Sequence, residues 1–282
     1  MPAALVVLLC VLLAAAVCVA HVTNDVPPPF DLKLANSSVY LAAAVLCDAS
    51  TFATRKYIGP SAGFQYKATI RDASTDTNGF VGILGDKIFV VYRGTSSKLN
   101  WADDAEAWQD AFVGCKDCQI HHGFNKCIDN TIKSVISALE PLRKEHPSYA
   151  IVCAGHSLGG ALANVAALEI LQAGFSNVQH YSFGSPRVGN QQFAEYSNKM
   201  LPEAQRITHY KDTVPHVPPP YIPLIAKYQH IVTEIYEDEN HVLRKCTGYE
   251  DPHCSMQWNG AATNPADHSL YLEVVTSCPD DL

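Results

Sequence analysis

The chain has 282 residues, 48% of them hydrophobic and 17% charged, so it can bury a large core and global disorder is excluded. Its formal charge of −8 comes with no run of Lys or Arg able to form a basic face, which excludes a nucleic acid backbone as partner and leaves neutral ligands open. The size suits one large α/β domain or two small ones.

Residues 1–20, MPAALVVLLCVLLAAAVCVA, carry no charged side chain and are followed at once by polar HVTND. The apolar centre from Leu5 to Val17 fits the core of a secretory signal peptide, and Cys18-Val19-Ala20 supplies small residues for cleavage before His21. An uncleaved anchor is the alternative, but the segment is marginal for a span of about 20 residues, and no basic flank orients it. Residues 1–20 are therefore expected to be removed, and residues 21–282 to be secreted. Ten cysteines less Cys10 and Cys18 leave eight, an even number that points to disulfides in an exported chain. Asn36-Ser37-Ser38 is an N-glycosylation sequon near the mature N-terminus.

After the proline-rich VPPPF, a helix-like stretch runs from Leu41 to Cys47. Three β-type runs follow, FQYKATI, GFVGILG and KIFVVYRG. Gly85-Asp86 between the last two reads as a hairpin turn, so the sheet starts antiparallel. Thr95 to Gln119 is polar, holds Trp101 and Trp108, and lacks a strand period. From Lys126 to Lys144 apolar residues recur at helical spacing, and Pro147 stops the helix. SYAIVCAG is a short apolar strand and SLGGALANVAALEILQAG a helix closed by Gly174. VQHYSFGSPRVG repeats the strand and turn, NQQFAEYSNKML reads as a helix, and AQRITHYKD as another strand. The alternation predicts parallel strands joined by crossovers, hence an α/β fold whose mostly parallel sheet has an antiparallel N-terminal edge. A linker at the proline-rich VPHVPPPYIPLI would cut off the last strand and helix, so one domain is expected.

Gly155-His156-Ser157-Leu158-Gly159 matches G-x-S-x-G and falls between an apolar strand and a helix, where a nucleophile elbow must be. A serine on so sharp a turn takes a strained backbone, and small neighbours such as Gly159, Gly160 and Ala161 make that possible. Its hydroxyl needs a base, and the base needs an orienting acid, both downstream in this type of fold. His268, placed just before an expected terminal helix, is a candidate base beside His209, His216, His230, His241 and His253. Asp212 sits where a strand ends in a proline-stiffened loop, the usual place for a functional residue in an open sheet. Glu234, Asp238 and Asp267 compete with it, although Asp267 adjoins His268 and would orient it poorly. The backbone N–H of Leu158 is one candidate oxyanion donor, and Thr95, at the end of VVYRGTSS, offers a second through its N–H and hydroxyl.

Taken together and in order, YRGTSSKLNWADD, HHGF, AGHSLGGALA, FGSPRVGN, THYKDTVPHVPP, YQHIVTEIY and ADHSLYL resemble the class 3 lipases, the filamentous-fungal type of triacylglycerol lipase, over nearly the whole mature chain. The resemblance implies an α/β-hydrolase fold with helices on both sheet faces, nucleophile Ser157, acid Asp212, base His268, and oxyanion donors Thr95 and Leu158. It implies hydrolysis of acylglycerol esters through an acyl-enzyme at a transiently met lipid-water interface; a monomer is expected, with no cofactor or metal. Feruloyl-type or general carboxylesterase activity, phospholipase activity and an inactive lipid-binding homologue are the alternatives. The family's cysteine pattern implies pairs Cys47–Cys278 and Cys246–Cys254, and Cys115–Cys118 resembles a pair of the related feruloyl esterases. Cys127 and Cys153 match no family pair and either join each other or stay as buried thiols.

The resemblance also implies a short amphipathic lid near residues 97–106, with Lys98, Leu99, Asn100, Trp101 and Asp104 in its pattern. Where fungal lipases place large aliphatic residues, this chain has Lys98, Ala102 and Ala105, leaving mainly Leu99 and Trp101 to meet lipid. Each large side chain lost removes about 1.5–3 kcal/mol of full-burial energy. A modest rate increase is therefore expected as tributyrin is raised through its solubility limit, and a steep jump there would contradict the polar lid.

Overall fold

In the computed structural model, which describes residues 30–94 and 108–278, side-chain alternation along the central strands splits the core into two layers. On strand β3 (Lys87–Tyr92), Ile88, Val90 and Tyr92 face one layer while Phe89 and Val91 face the other. On strand β6 (Ala150–His156), Ile151 and Cys153 likewise oppose Val152 and Ala154. Strands apolar on both faces need cover on both, as parallel central strands do.

One cover consists of helices α2 (His122–Glu145), α3 (Leu158–Gln172) and α4 (Gln191–Met200). The other consists of α1 (Leu32–Ala44), the segment around Phe52, Tyr57 and Phe64, and residues near Tyr271. In chain order the remaining strands are β1 (Gln65–Asp72), β2 (Thr77–Leu84), β4 (Gln109–Ala111), β5 (Gln119–His121), β7 (Val178–Phe183), β8 (Gln205–His209), β9 (Tyr221–Ile222), β10 (Ala226–Lys227), β11 (Glu234–Glu237), β12 (Leu243–Lys245), β13 (Leu270–Tyr271) and β14 (Val274–Val275). The main sheet has the order β1-β2-β3-β6-β7-β8-β11-β12. From β3 to β11 its strands pair in parallel, and β1-β2-β3 is antiparallel as expected. A second antiparallel edge, not expected from the sequence, forms where β12 turns back on β11.

Three local expectations need correction. Helix α1 begins at Leu32, not Leu41, because Asp31 caps it by accepting the Leu34 N–H at 2.9 Å; Ser38, polar in sequence, lies inside on the buried side. The polar stretch before Gln119 does hold a strand: β4 pairs with β5 through backbone groups, without an alternating apolar pattern. Among the described residues, no α-helix follows His268. Leu270–Tyr271 and Val274–Val275 form a hairpin across Leu272 and Glu273, both at positive φ, and the β-branched valines suit that strand better than a helix.

Disulfides join Cys47 to Cys278, Cys115 to Cys118 and Cys246 to Cys254, while Cys127 and Cys153 are free, buried in one layer, with burial pushing both thiols up. Asn36 is partly exposed on α1, but Ser38 of the same sequon is buried, so a glycan there must be added before α1 docks. Residues 1–20, Thr95 and the lid segment 97–106 lie outside the described residues.

His121, His156, His180 and His230 are buried, and loss of water holds each neutral, with His121 pushed down to about 4 and His180 to about 3. In the unfolded chain a histidine takes its proton near pH 6.5, so below that pH the unfolded state binds more protons and stability falls. The melting temperature is expected to drop steadily from about pH 6.5 towards pH 4, each such histidine contributing up to about 1.4 kcal/mol per pH unit. Thermal scans that stay flat over this window would contradict the neutral burial.

Candidate active site

Strand β6 is followed at once by Ser157, whose φ of 58° and ψ of −132° put a non-glycine residue in a region costing about 1–3 kcal/mol. Surrounding bonds hold it there: Ser157 N–H donates to Phe183 O at 2.9 Å, and Gly160 N–H to Ser157 O at 2.9 Å. Helix α3 then packs so close to β3 that a Cβ on Gly159 would lie 2.2 Å from the Tyr92 carbonyl oxygen. Leu158 is the first residue of α3, where helix N–H groups have no intrahelical partner. Thr95 is outside the described residues, but Gly94 beside it approaches the elbow: a Cβ there would be 3.2 Å from Ser157 Cβ.

Asp212 follows β8 and is 1% exposed. Its Oδ1 accepts the Val214 N–H at 2.8 Å, and its Oδ2 accepts from His268 Nδ1 at 2.7 Å and from the Tyr271 hydroxyl. Burial, and then the adjacent Asp212 charge, push the Tyr271 phenol well above its usual range, so it stays protonated and donates. With Nδ1–H given to Asp212, His268 keeps Nε2 as its basic nitrogen. The ring of His156 lies 4.3 Å from that of His268, centroid to centroid, which sets the Asp–His pair beside the serine's chain neighbour.

Several residues without a recognisable motif of their own hold this arrangement. His156 Nε2 donates to the His268 carbonyl oxygen at 2.7 Å; burial, and then the neighbouring His268, lower its proton affinity and keep it neutral. Thr276 lies 3.2 Å from the same nitrogen. Gly184, just after β7, has φ +59°, and a Cβ there would come 2.5 Å from Tyr271 Oη, 2.7 Å from Asp212 Oδ2 and 2.9 Å from His268 Nδ1. Only a residue without a side chain fits under the pair. Arg187 braces the loop after Asp212: its guanidinium grips Glu250 through two bonds of 2.8 Å and donates to the His216 and Pro218 carbonyls at 2.7 and 2.9 Å. His156, Gly184 and Arg187 lie within AGHSLGGALA and FGSPRVGN, whose ordered pattern is their signal, whereas Thr276 and Glu250 lie outside the family-like blocks.

The competing residues have different partners. Glu234 is buried against Arg206 at 2.8 Å and also accepts from Thr208 and Ser255. Asp238 caps a turn through the Asn240 and Val242 N–H groups. His230 donates to Pro215 O at 2.6 Å, His209 to Asp267 O at 2.9 Å, and His241 lies 2.7 Å from Glu237; His253 is exposed.

A mostly parallel sheet whose central strand ends in a strained serine at a helix start, with an Asp–His pair from later loops beside it, is an α/β-hydrolase. The profile described as Lipase (class 3) matches residues 89–222. A secreted mono- and diacylglycerol lipase of Fusarium solani is 32% identical over 198 residues, 68% of this chain and 58% of that protein. The solved triacylglyceride lipase of Rhizomucor miehei superposes with a TM-score of 0.79 at 26% identity, covering 87% of this chain and 95% of that one. A structure described as a triacylglycerol lipase with a serine protease triad at its catalytic centre gives the same TM-score, identity and coverage: 0.79, 26%, 87% and 95%. The chain belongs to the class 3 lipase family. It spans about half the length of the curated relatives it matches.

Because Glu234 is an ion-pair partner deep inside the fold, Glu234→Ala should strand the Arg206 charge and lower unfolding free energy by about 3–5 kcal/mol. Denaturant titration of the variant reads this, and an unchanged midpoint would remove Glu234 from that role.

Proposed function

We propose that the chain is a secreted serine hydrolase that cleaves carboxylic esters of acylglycerols, with Ser157 as nucleophile, His268 as base and Asp212 as the acid that orients it. The observation that carries this reading is the 2.7 Å bond from His268 Nδ1 to the buried Asp212 carboxylate, in a segment packed on His156 beside the strained Ser157. Family membership and the names of the relatives, lipases that include a secreted one, support the substrate class and the secretion. In this reading residues 1–20 are the signal peptide and residues 21–282 a single catalytic domain that works as a monomer at a lipid-water interface, with residues 97–106 as its lid.

The chemistry follows from the tautomer. His268 Nε2 takes the proton from Ser157 Oγ as the oxygen attacks the ester carbonyl, and Asp212 stabilises the imidazolium that forms. Backbone N–H groups of Leu158 and Thr95 stabilise the tetrahedral oxyanion, helped by the α3 N-terminus. His268 then protonates the departing alcohol, and water, activated by the same nitrogen, releases the acyl group from Ser157. Tyr271 donates to the same Asp212 Oδ2 that His268 Nδ1 bonds, so the carboxylate is held in place while the base turns over its proton.

A feruloyl-type esterase is a second reading, favoured by the Cys115–Cys118 disulfide. Initial rates on tributyrin, triolein, a phosphatidylcholine and methyl ferulate separate the readings; the acylglycerols are expected to be the best substrates. Ser157→Ala should lower kcat by about 10⁴–10⁶-fold with the melting temperature retained, as for other serine triads. The wild-type chain, unlike the variant, should be labelled by a fluorophosphonate, and a variant that keeps most of its activity would overturn the assignment.

A further inference from the structure

We propose that His209, Glu237 and His241 form a zinc site that braces the segment carrying His268. This goes beyond the hydrolase reading, and no metal-ligand spacing announces it in the sequence, since the ligands come from two strands and a turn. Parallel pairing of β8 with β11 sets His209 directly opposite Glu237 at the C-terminal ends of both strands. His241, in the turn towards β12 at φ 61°, folds back over them, and its ring lies parallel to that of His209, 6° apart in plane with centroids at 5.7 Å. One ligating atom from each residue lies within 4.8 Å of the other two.

The groups are set as zinc ligands are. His209 Nδ1 gives its proton to the Asp267 carbonyl at 2.9 Å, which leaves the Nε2 lone pair as the donor and fixes the ring, the usual support of a metal-bound histidine. Glu237 is fully buried, an unusual place for a carboxylate, and is anchored by the Leu272 N–H at 2.9 and 3.1 Å. His241 Nδ1 already bonds Glu237 Oε1 at 2.7 Å, a contact an ion would replace, and with 32% of its side chain exposed this residue opens the site to solvent. Two imidazole nitrogens and one carboxylate oxygen favour Zn²⁺ over Ca²⁺ or Mg²⁺, and tetrahedral bonds of about 2.0–2.2 Å require the ligand atoms to readjust around the ion, with His241 exchanging its bond to Glu237 for one to the metal. Water from the exposed side supplies the fourth ligand. The supports of the two buried ligands, Asp267 O and Leu272 N–H, flank His268 in sequence, so the ion would tie down both ends of the turn that presents the base.

Zinc titration of the tag-free, chelator-stripped chain by calorimetry and thermal melting tests this without reference to hydrolysis. The expected result is saturable binding of one equivalent with a raised melting temperature. His241→Ala, at a half-exposed turn position, should fold and bind at least about tenfold more weakly, as should Glu237→Gln. A zinc-edge anomalous difference peak between the three side chains would mark the ion directly. Absence of binding below millimolar zinc, or undiminished binding by His241→Ala, would overturn the site while leaving the Ser157 reading untouched.

Discussion

A single carboxylate organises the functional end of this fold. Asp212 is buried, and the donors that make its charge tolerable come from its own loop at Val214, from His268 and from Tyr271. A buried charge is stable only when so satisfied. The requirement works in both directions: the donors satisfy the carboxylate inside the protein, and the carboxylate fixes a C-terminal segment that has few regular hydrogen bonds of its own. Gly184 and the Arg187–Glu250 brace belong to the same constraint, one by leaving room under the pair and the other by stiffening the loop that follows Asp212.

The other half of the site depends on sheet geometry. Strands β3, β6 and β7 run parallel and side by side, so their C-terminal ends deliver Gly94, Ser157 and Gly184 to one edge. The strain at Ser157 persists because the sheet on one side and α3 on the other over-determine that residue. Conformational cost at one position is thereby offset by packing spread over two apolar layers.

Much of this was legible in the sequence because it rests on local rules. Alternating or continuous apolar runs gave the central strands, and the small residues after Ser157 gave the elbow through sterics alone. Choosing Asp212 and His268 was another matter, since the residues left several histidines and carboxylates open and only the family resemblance separated them. Where the reading failed, the structure is decided by tertiary contacts. The β4–β5 pair has no side-chain pattern, the segment after His268 becomes a hairpin under the Cys47–Cys278 link, and His156 reveals its role only when His268 is brought 112 residues back to it. The His209–Glu237–His241 cluster is invisible for the same reason, because strand register and not sequence spacing unites it.

The Cys47–Cys278 bond also defines how the molecule carries mechanical load. Its Cα atoms are 4.7 Å apart although 231 residues separate them in sequence. Tension applied at the two chain ends would run along α1, cross the covalent link and leave by the C-terminus. The sheet, the elbow and the His268 turn all lie within the bypassed loop. A protein tethered by its ends, to a surface or a fusion partner, would thus keep its site out of the force path for as long as that one bond remains oxidised.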